Sequence, residues 1–132
     1  MKNIITICAS IFLLSGCSTM YTQGFDTYFW TSIPGEERFL FIEGKQKGLI
    51  PYLPSAPNCE NDSSKQACLK EYLPSGNYAI EVRNVSGKVL YEETLTVKRR
   101  GDNVTIGTTT PGKGGKSVRT FKGGCLMEEF AE

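Results

Sequence analysis

Between residues 25 and 106 the chain breaks into short runs of β-branched and aromatic residues, each closed by a cluster of Gly, Pro, Asn or Asp. Residues 25–32 read Phe-Asp-Thr-Tyr-Phe-Trp-Thr-Ser, and residues 38–43 read Arg-Phe-Leu-Phe-Ile-Glu. Such residues fit a pleated, half-buried surface, so both runs are expected as strands. Pro34-Gly35-Glu36-Glu37 turns the chain between them, and Gly44-Lys45-Gln46-Lys47-Gly48 reads as the next hairpin turn. Prolines interrupt residues 49–54, which suits a sheet edge. After the turn Leu73-Pro74-Ser75-Gly76-Asn77, the residues Tyr78, Ile80 and Val82 alternate onto one face. Asn84-Val85-Ser86-Gly87-Lys88 makes another turn. In residues 89–98 Val89, Tyr91, Leu95 and Val97 point inward, with Glu93 interrupting the stripe, and residues 104–106 form a last strand. The expected fold is mainly β: a small antiparallel β-sandwich or sheet of about six strands.

Two regions break this rhythm. Residues 55–70 read as a long loop with a helical turn near residues 63–69. Residues 107–117, Gly-Thr-Thr-Thr-Pro-Gly-Lys-Gly-Gly-Lys-Ser, are too poor in apolar side chains to pack a core and read as a flexible Gly-rich segment. The tail beyond it holds Phe121, Cys125, Leu126, Met127 and Phe130. It is expected to dock as a strand or short helix, with an apolar contact to a partner as the other reading. The expected organisation is a β domain over residues 25–110, followed by a Gly-rich segment and tail over residues 111–132.

The N-terminus has a different character. One lysine, Lys2, precedes an apolar run from Ile4 to Leu14. That run is too short for a bilayer span, which takes about 20 residues, and fits the apolar region of an export signal. Leu14-Ser15-Gly16-Cys17 follows. The stretch resembles the lipobox of bacterial lipoproteins. The resemblance implies a signal peptide over residues 1–16, cleavage before Cys17, and diacylglycerol on the Cys17 sulfur with a further acyl chain on its new amine. Two or more chains anchor stably where one does not. Residues 17–24 would then be a lipidated tether. Ser18 after the cysteine resembles the pattern sorted to the outer membrane of diderm bacteria, with the domain facing the periplasm.

Composition narrows the chemistry. Removing Lys2 leaves 14 Lys and Arg against 14 Asp and Glu, so the mature chain is formally neutral. Nucleic acid is not an expected partner, because it calls for a basic face. The chain has no histidine, which removes Ser-His-Asp and Cys-His catalysis and the commonest transition-metal ligand. No enzyme activity, cofactor or metal is expected. The acid pairs Glu36-Glu37, Glu92-Glu93 and Glu128-Glu129 invite a hydrolase reading, but neighbours along a strand face opposite ways, so these read as solvated surface charge. The glycines around Lys113 and Lys116 approach a phosphate-binding loop without completing one. Lys98-Arg99-Arg100 reads first as a charged turn, with anionic headgroups or peptidoglycan acids as the alternative contact.

With Cys8 in the signal and Cys17 lipidated, Cys59, Cys68 and Cys125 remain in an oxidising compartment. One disulfide forms and one thiol is left over. The polar stretch between Cys59 and Cys68 favours that local pair, and pairing of Cys125 with either is the alternative.

Two stretches resemble PEGA-type surface domains. The first is Phe39-Leu40-Phe41-Ile42-Glu43-Gly44-Lys45-Gln46-Lys47-Gly48-Leu49-Ile50-Pro51-Tyr52, and the second is Leu73-Pro74-Ser75-Gly76-Asn77-Tyr78-Ala79-Ile80-Glu81-Val82. The resemblance covers about half of the mature chain. It implies a small β domain for envelope attachment or protein contact, with no catalytic residues. Ser75-Gly76-Asn77-Tyr78 also resembles the Ser-Gly loop of periplasmic lysozyme inhibitors, one residue short of the tyrosine. The leading expectation is a non-enzymatic, membrane-anchored envelope lipoprotein. It would bind the bilayer through its acylated N-terminus and another envelope protein through its domain, with Tyr52, Phe121 and Phe130 as partner-binding residues. The alternative is an inhibitor or immunity lipoprotein that blocks a hydrolase, presenting residues 55–70 as a rigid loop.

Overall fold

The structure, a computed structural model, describes residues 24–100, 103–111, 115–122 and 125–131. The expected signal peptide, Cys17 and most of the tether therefore lie outside the described residues.

Nine strands and one short helix occur among the described residues: β1 (Phe25–Thr31), β2 (Arg38–Ile42), β3 (Lys45–Leu49), α1 (Asp62–Gln66), β4 (Leu69–Leu73), β5 (Gly76–Asn84), β6 (Val89–Arg100), β7 (Asn103–Thr109), β8 (Lys116–Lys122) and β9 (Cys125–Ala131). They form a four-stranded sheet in the order β4-β1-β9-β8 and a five-stranded sheet in the order β3-β2-β5-β6-β7. Neighbours pair antiparallel except β1 and β9, which run parallel. The mainly β sandwich is one of the two forms the sequence pattern calls for, but the described residues carry nine strands where about six are expected, because the edge strand β3 and the long-range partners β4, β8 and β9 lack a readable apolar alternation, and one pair is parallel.

The alternation sets the inner faces. Phe25, Phe29, Leu73, Leu126 and Phe130 of the first sheet pack against Leu40, Ile42, Ile80, Val82, Tyr91, Leu95 and Val97 of the second. Phe130 stacks on Phe29 at 5.8 Å between ring centroids and meets Tyr91 of the facing sheet at 5.5 Å. Burial on this scale drives the two sheets together. The β2–β3 hairpin closes through Glu43 and Gly44, both at positive φ (52° and 75°), the geometry a two-residue hairpin turn requires.

The outer face of the four-stranded sheet is covered too. Tyr28, Cys125 and Met127 are buried there, with Cys59 and Cys68 packed on them. The loop carrying α1 is what covers them. Asn61 caps the helix, its side chain accepting from the Ser64 N–H at 3.1 Å.

The domain boundary differs from expectation. β8 and β9 supply two of the four strands of one sheet, so the folded unit runs to Ala131 and does not stop at residue 110. β9 sits centrally, between β1 and β8, which explains why Cys125, Leu126, Met127 and Glu128 are buried in succession. The Gly-rich stretch is shorter than expected, because β7 reaches Thr109 and β8 begins at Lys116.

Candidate functional site

The least expected feature is a charged cluster inside the sandwich. Inward positions of β6 carry Tyr91, Glu93, Leu95 and Val97, and those of β9 carry Leu126, Glu128 and Phe130. Arg119 of β8 pairs in register with Glu128, so both project from one face. Arg119 Nη2 donates to Glu93 Oε1 and Oε2 at 2.8 Å each and to Glu128 Oε1 at 3.1 Å. The Tyr91 hydroxyl donates to Glu93 Oε2, and Ser117 Oγ donates to Glu128 Oε1, both at 2.5 Å. The Glu93 and Glu128 side chains are 1% and 0% exposed. The expected solvated character of these acids is therefore wrong for this pair. Their partners Glu92 and Glu129 point the other way and are half-buried, as strand alternation requires.

Burial pushes the Glu128 carboxyl well above the usual carboxylate range, and the neighbouring Glu93 adds to the rise. Burial also opposes the Arg119 cation, but Glu128 and Glu93 outweigh it and raise its pKa. Burial and the neighbouring Glu93 thus favour the protonated form of Glu128 in the fold. Two buried atoms of the cluster, Glu128 Oε2 and Arg119 Nε, have no hydrogen-bond partner among the described residues; a proton on the carboxyl would give the first a bond to donate, while the second is an N–H donor without an acceptor. Desolvation and the Glu93 hydrogen bond raise the Tyr91 phenol as well.

Beside this cluster β7 and β8, the edge strands of the two sheets, leave a cleft of about 320 Å³ lined by Val104, Ile106, Arg119, Phe121 and Leu126. Of the charged cluster, Arg119 alone borders the cleft. The acids lie behind it. The cleft gives a substrate the guanidinium and apolar walls, not the carboxyls.

The residues singled out from sequence are dispersed. Cys59 is bonded to Cys125, with 5.9 Å between Cα atoms, and Cys68 is the free thiol. The Cys59–Cys68 pairing is thus corrected. At the end of α1, Cys68 Sγ is turned back to the Ser64 carbonyl at 3.6 Å, while β9 brings Cys125 under the loop. Burial raises the Cys68 thiol to about 11. Tyr52 is 49% exposed and bridges to Thr31, near one end of β1. Phe121 is 47% exposed in the cleft, edge-on to Phe25 at 5.0 Å. Phe130 is only 4% exposed, because it occupies an inward position of the central strand; it is a core residue and not a partner contact.

Gly24, the residue before β1, is tightly held. The Gly24 N–H donates to the Tyr72 hydroxyl at 3.1 Å, and its carbonyl accepts from Arg99 Nη1 at 3.2 Å. The Arg99 guanidinium also lies over the Phe25 ring at 4.9 Å, and its backbone N–H donates to Ser75 Oγ at 3.0 Å. A Cβ on Gly24 would stand 1.9 Å from the Leu73 carbonyl oxygen, so only glycine fits.

Comparison with protein-family models, curated proteins and solved structures finds no match. What the chain defines by itself is a two-sheet β-sandwich with a disulfide across its outer face.

Proposed function

We propose that the protein is a non-enzymatic envelope lipoprotein, a β-sandwich held at a membrane by acyl chains on Cys17 and acting through contact with another envelope protein. The observation that carries this reading is the short distance from lipobox to fold. Cys17 stands seven positions before Gly24, the residue gripped by Tyr72 and Arg99. Fully extended, that tether reaches about 25 Å. The domain would be a membrane-proximal module, not one swinging on a long linker. In a diderm host Ser18 favours the outer membrane, with the domain in the periplasm. A PEGA-like role in envelope attachment is compatible with this placement.

The disulfide supports an exported domain, since such bonds persist in oxidising compartments. The contact reading is favoured over the inhibitor reading by the loop over residues 55–68. Its Cys59 and Cys68 pack against Tyr28, Cys125 and Met127 and Cys59 is bonded to Cys125, so the loop covers the sheet's outer face and serves the sandwich's own core. Ser75-Gly76-Asn77-Tyr78 likewise runs into strand β5.

Separation of native membranes from soluble periplasm tests the proposal. Wild type should remain with membranes through high-salt washing, and Cys17→Ser should lose its acyl anchor and leave an uncleaved precursor. A wild type recovered in the soluble fraction would refute it. Pull-down from detergent-solubilised envelopes then separates the two roles: a stable envelope assembly supports the contact role, and a lytic enzyme supports inhibition.

A further inference from the structure

Gly24 and the basic end of β6 occupy the same end of the sandwich; the sequence expectation of a charged turn at Lys98-Arg99-Arg100 is corrected, because these residues are the last three of that strand. β1 begins there, β4 ends there at Leu73, and β9 begins beside Asp26. β5 starts there too, with Gly76 opposite Val97, and β6 runs past that point to Arg100 before β7 returns. β6 ends on Lys98-Arg99-Arg100, three cations in succession. Lys98 and Arg100 are exposed, while Arg99 is half-buried and holds the Gly24 carbonyl.

From this placement we infer that Lys98 and Arg100 form a contact site for anionic phospholipid headgroups, with Arg99 as the clamp that keeps Gly24 beside them. The inference rests on the lipid-anchor reading. An anchored tether holds this end of β6 within about 25 Å of the bilayer. Headgroup charge acts over about one Debye length, about 8 Å at physiological salt, so what matters is which end of the domain is brought down. Arg99 settles that by joining the strand that bears the basic residues to the first residue of the fold. Attraction at this end would orient the sandwich, with the Ser32–Arg38 turn and the Asn84–Val89 hairpin directed away from the membrane.

The test uses a lipid-free form beginning at Ser18 and exported behind an ordinary secretory signal. It keeps every strand found among the described residues, since these lie between Phe25 and Ala131. The probe is sedimentation with vesicles of phosphatidylcholine alone or mixed with phosphatidylglycerol. The expected result is binding to the mixed vesicles only, reversed by salt. Lys98→Glu/Arg100→Glu should weaken it by at least about tenfold, and the control Lys88→Glu/Lys116→Glu, exposed and away from Gly24, should leave it intact. Equal sedimentation with both vesicles, or equal losses in the two double variants, would overturn the inference. The mass of the native N-terminus reports separately on the anchor: a lipidated Cys17 with no vesicle binding sinks the headgroup site alone, and an unmodified Cys17 sinks the reading beneath it.

Discussion

Cys59 is joined to Cys125 across 66 residues of chain, which fastens the loop over the outer face of the four-stranded sheet to the first residue of β9. A closure of this length stabilises by about 4 kcal/mol in the chain-entropy model. Cys59→Ser or Cys125→Ser should each cost about 2–5 kcal/mol in urea unfolding, and Cys68→Ser less than about 1 kcal/mol. Non-reducing peptide mapping should recover Cys59 with Cys125. Recovery of Cys59 with Cys68 would contradict the structure.

The Glu128 carboxyl should make stability fall as pH rises. Its folded pKa is raised above the unfolded value of about 4.5, so the folded state holds a proton that the unfolded chain has released. The stabilisation is complete below that unfolded value and is lost as pH climbs through the raised folded one, at up to about 1.4 kcal/mol per pH unit. Glu128→Gln keeps a neutral donor beside Glu93 and should flatten this slope. Unfolding free energies measured from acid to mildly alkaline pH decide the matter; superimposable profiles would count against the protonated form of Glu128.

Arg119 is hydrogen-bonded to two buried acids, so its loss should be worse than loss of the whole cluster. Arg119→Leu leaves Glu93 without its cation and should cost about 3–5 kcal/mol. Combining it with Glu93→Gln and Glu128→Gln should recover a large part of that loss, because no buried charge remains. Denaturant unfolding of the single and triple variants measures the difference.

Phe130 and Phe121 should differ several-fold in their response to truncation although the sequence suggests similar roles. Phe130→Ala removes a ring stacked on Phe29 and should cost about 3–5 kcal/mol. Phe121→Ser acts at a side chain nearly half exposed and should cost roughly 1 kcal/mol or less. Thermal unfolding of both variants distinguishes core from surface.

Strands with a clear apolar stripe were readable from the sequence, as with Tyr78, Ile80 and Val82 of β5. The β1 and β2 boundaries also came within a residue or so of the structure. β3 was not readable, because Lys45-Gln46-Lys47-Gly48-Leu49 is an edge strand with little to bury. β4 and β8 owe their form to partners far along the chain, β1 and β9. Composition cannot show such pairing, and the charges of Lys116, Arg119 and Lys122 hid β8 further. The disulfide followed from the same long-range fact, since only the parallel pairing of β1 with β9 brings Cys125 beneath the loop. The buried acids left one trace. Glu93 falls at an inward position of β6, and Glu128 lies between Leu126 and Phe130. Those interruptions gained meaning only once Arg119 was found between them.

Intact-mass measurement on the protein extracted from native membranes tests the membrane-anchor account most directly. The account predicts a chain that has lost residues 1–16 and carries glycerolipid and a further acyl chain on Cys17. A chain still bearing Met1, or ending in an unmodified Cys17, would contradict it.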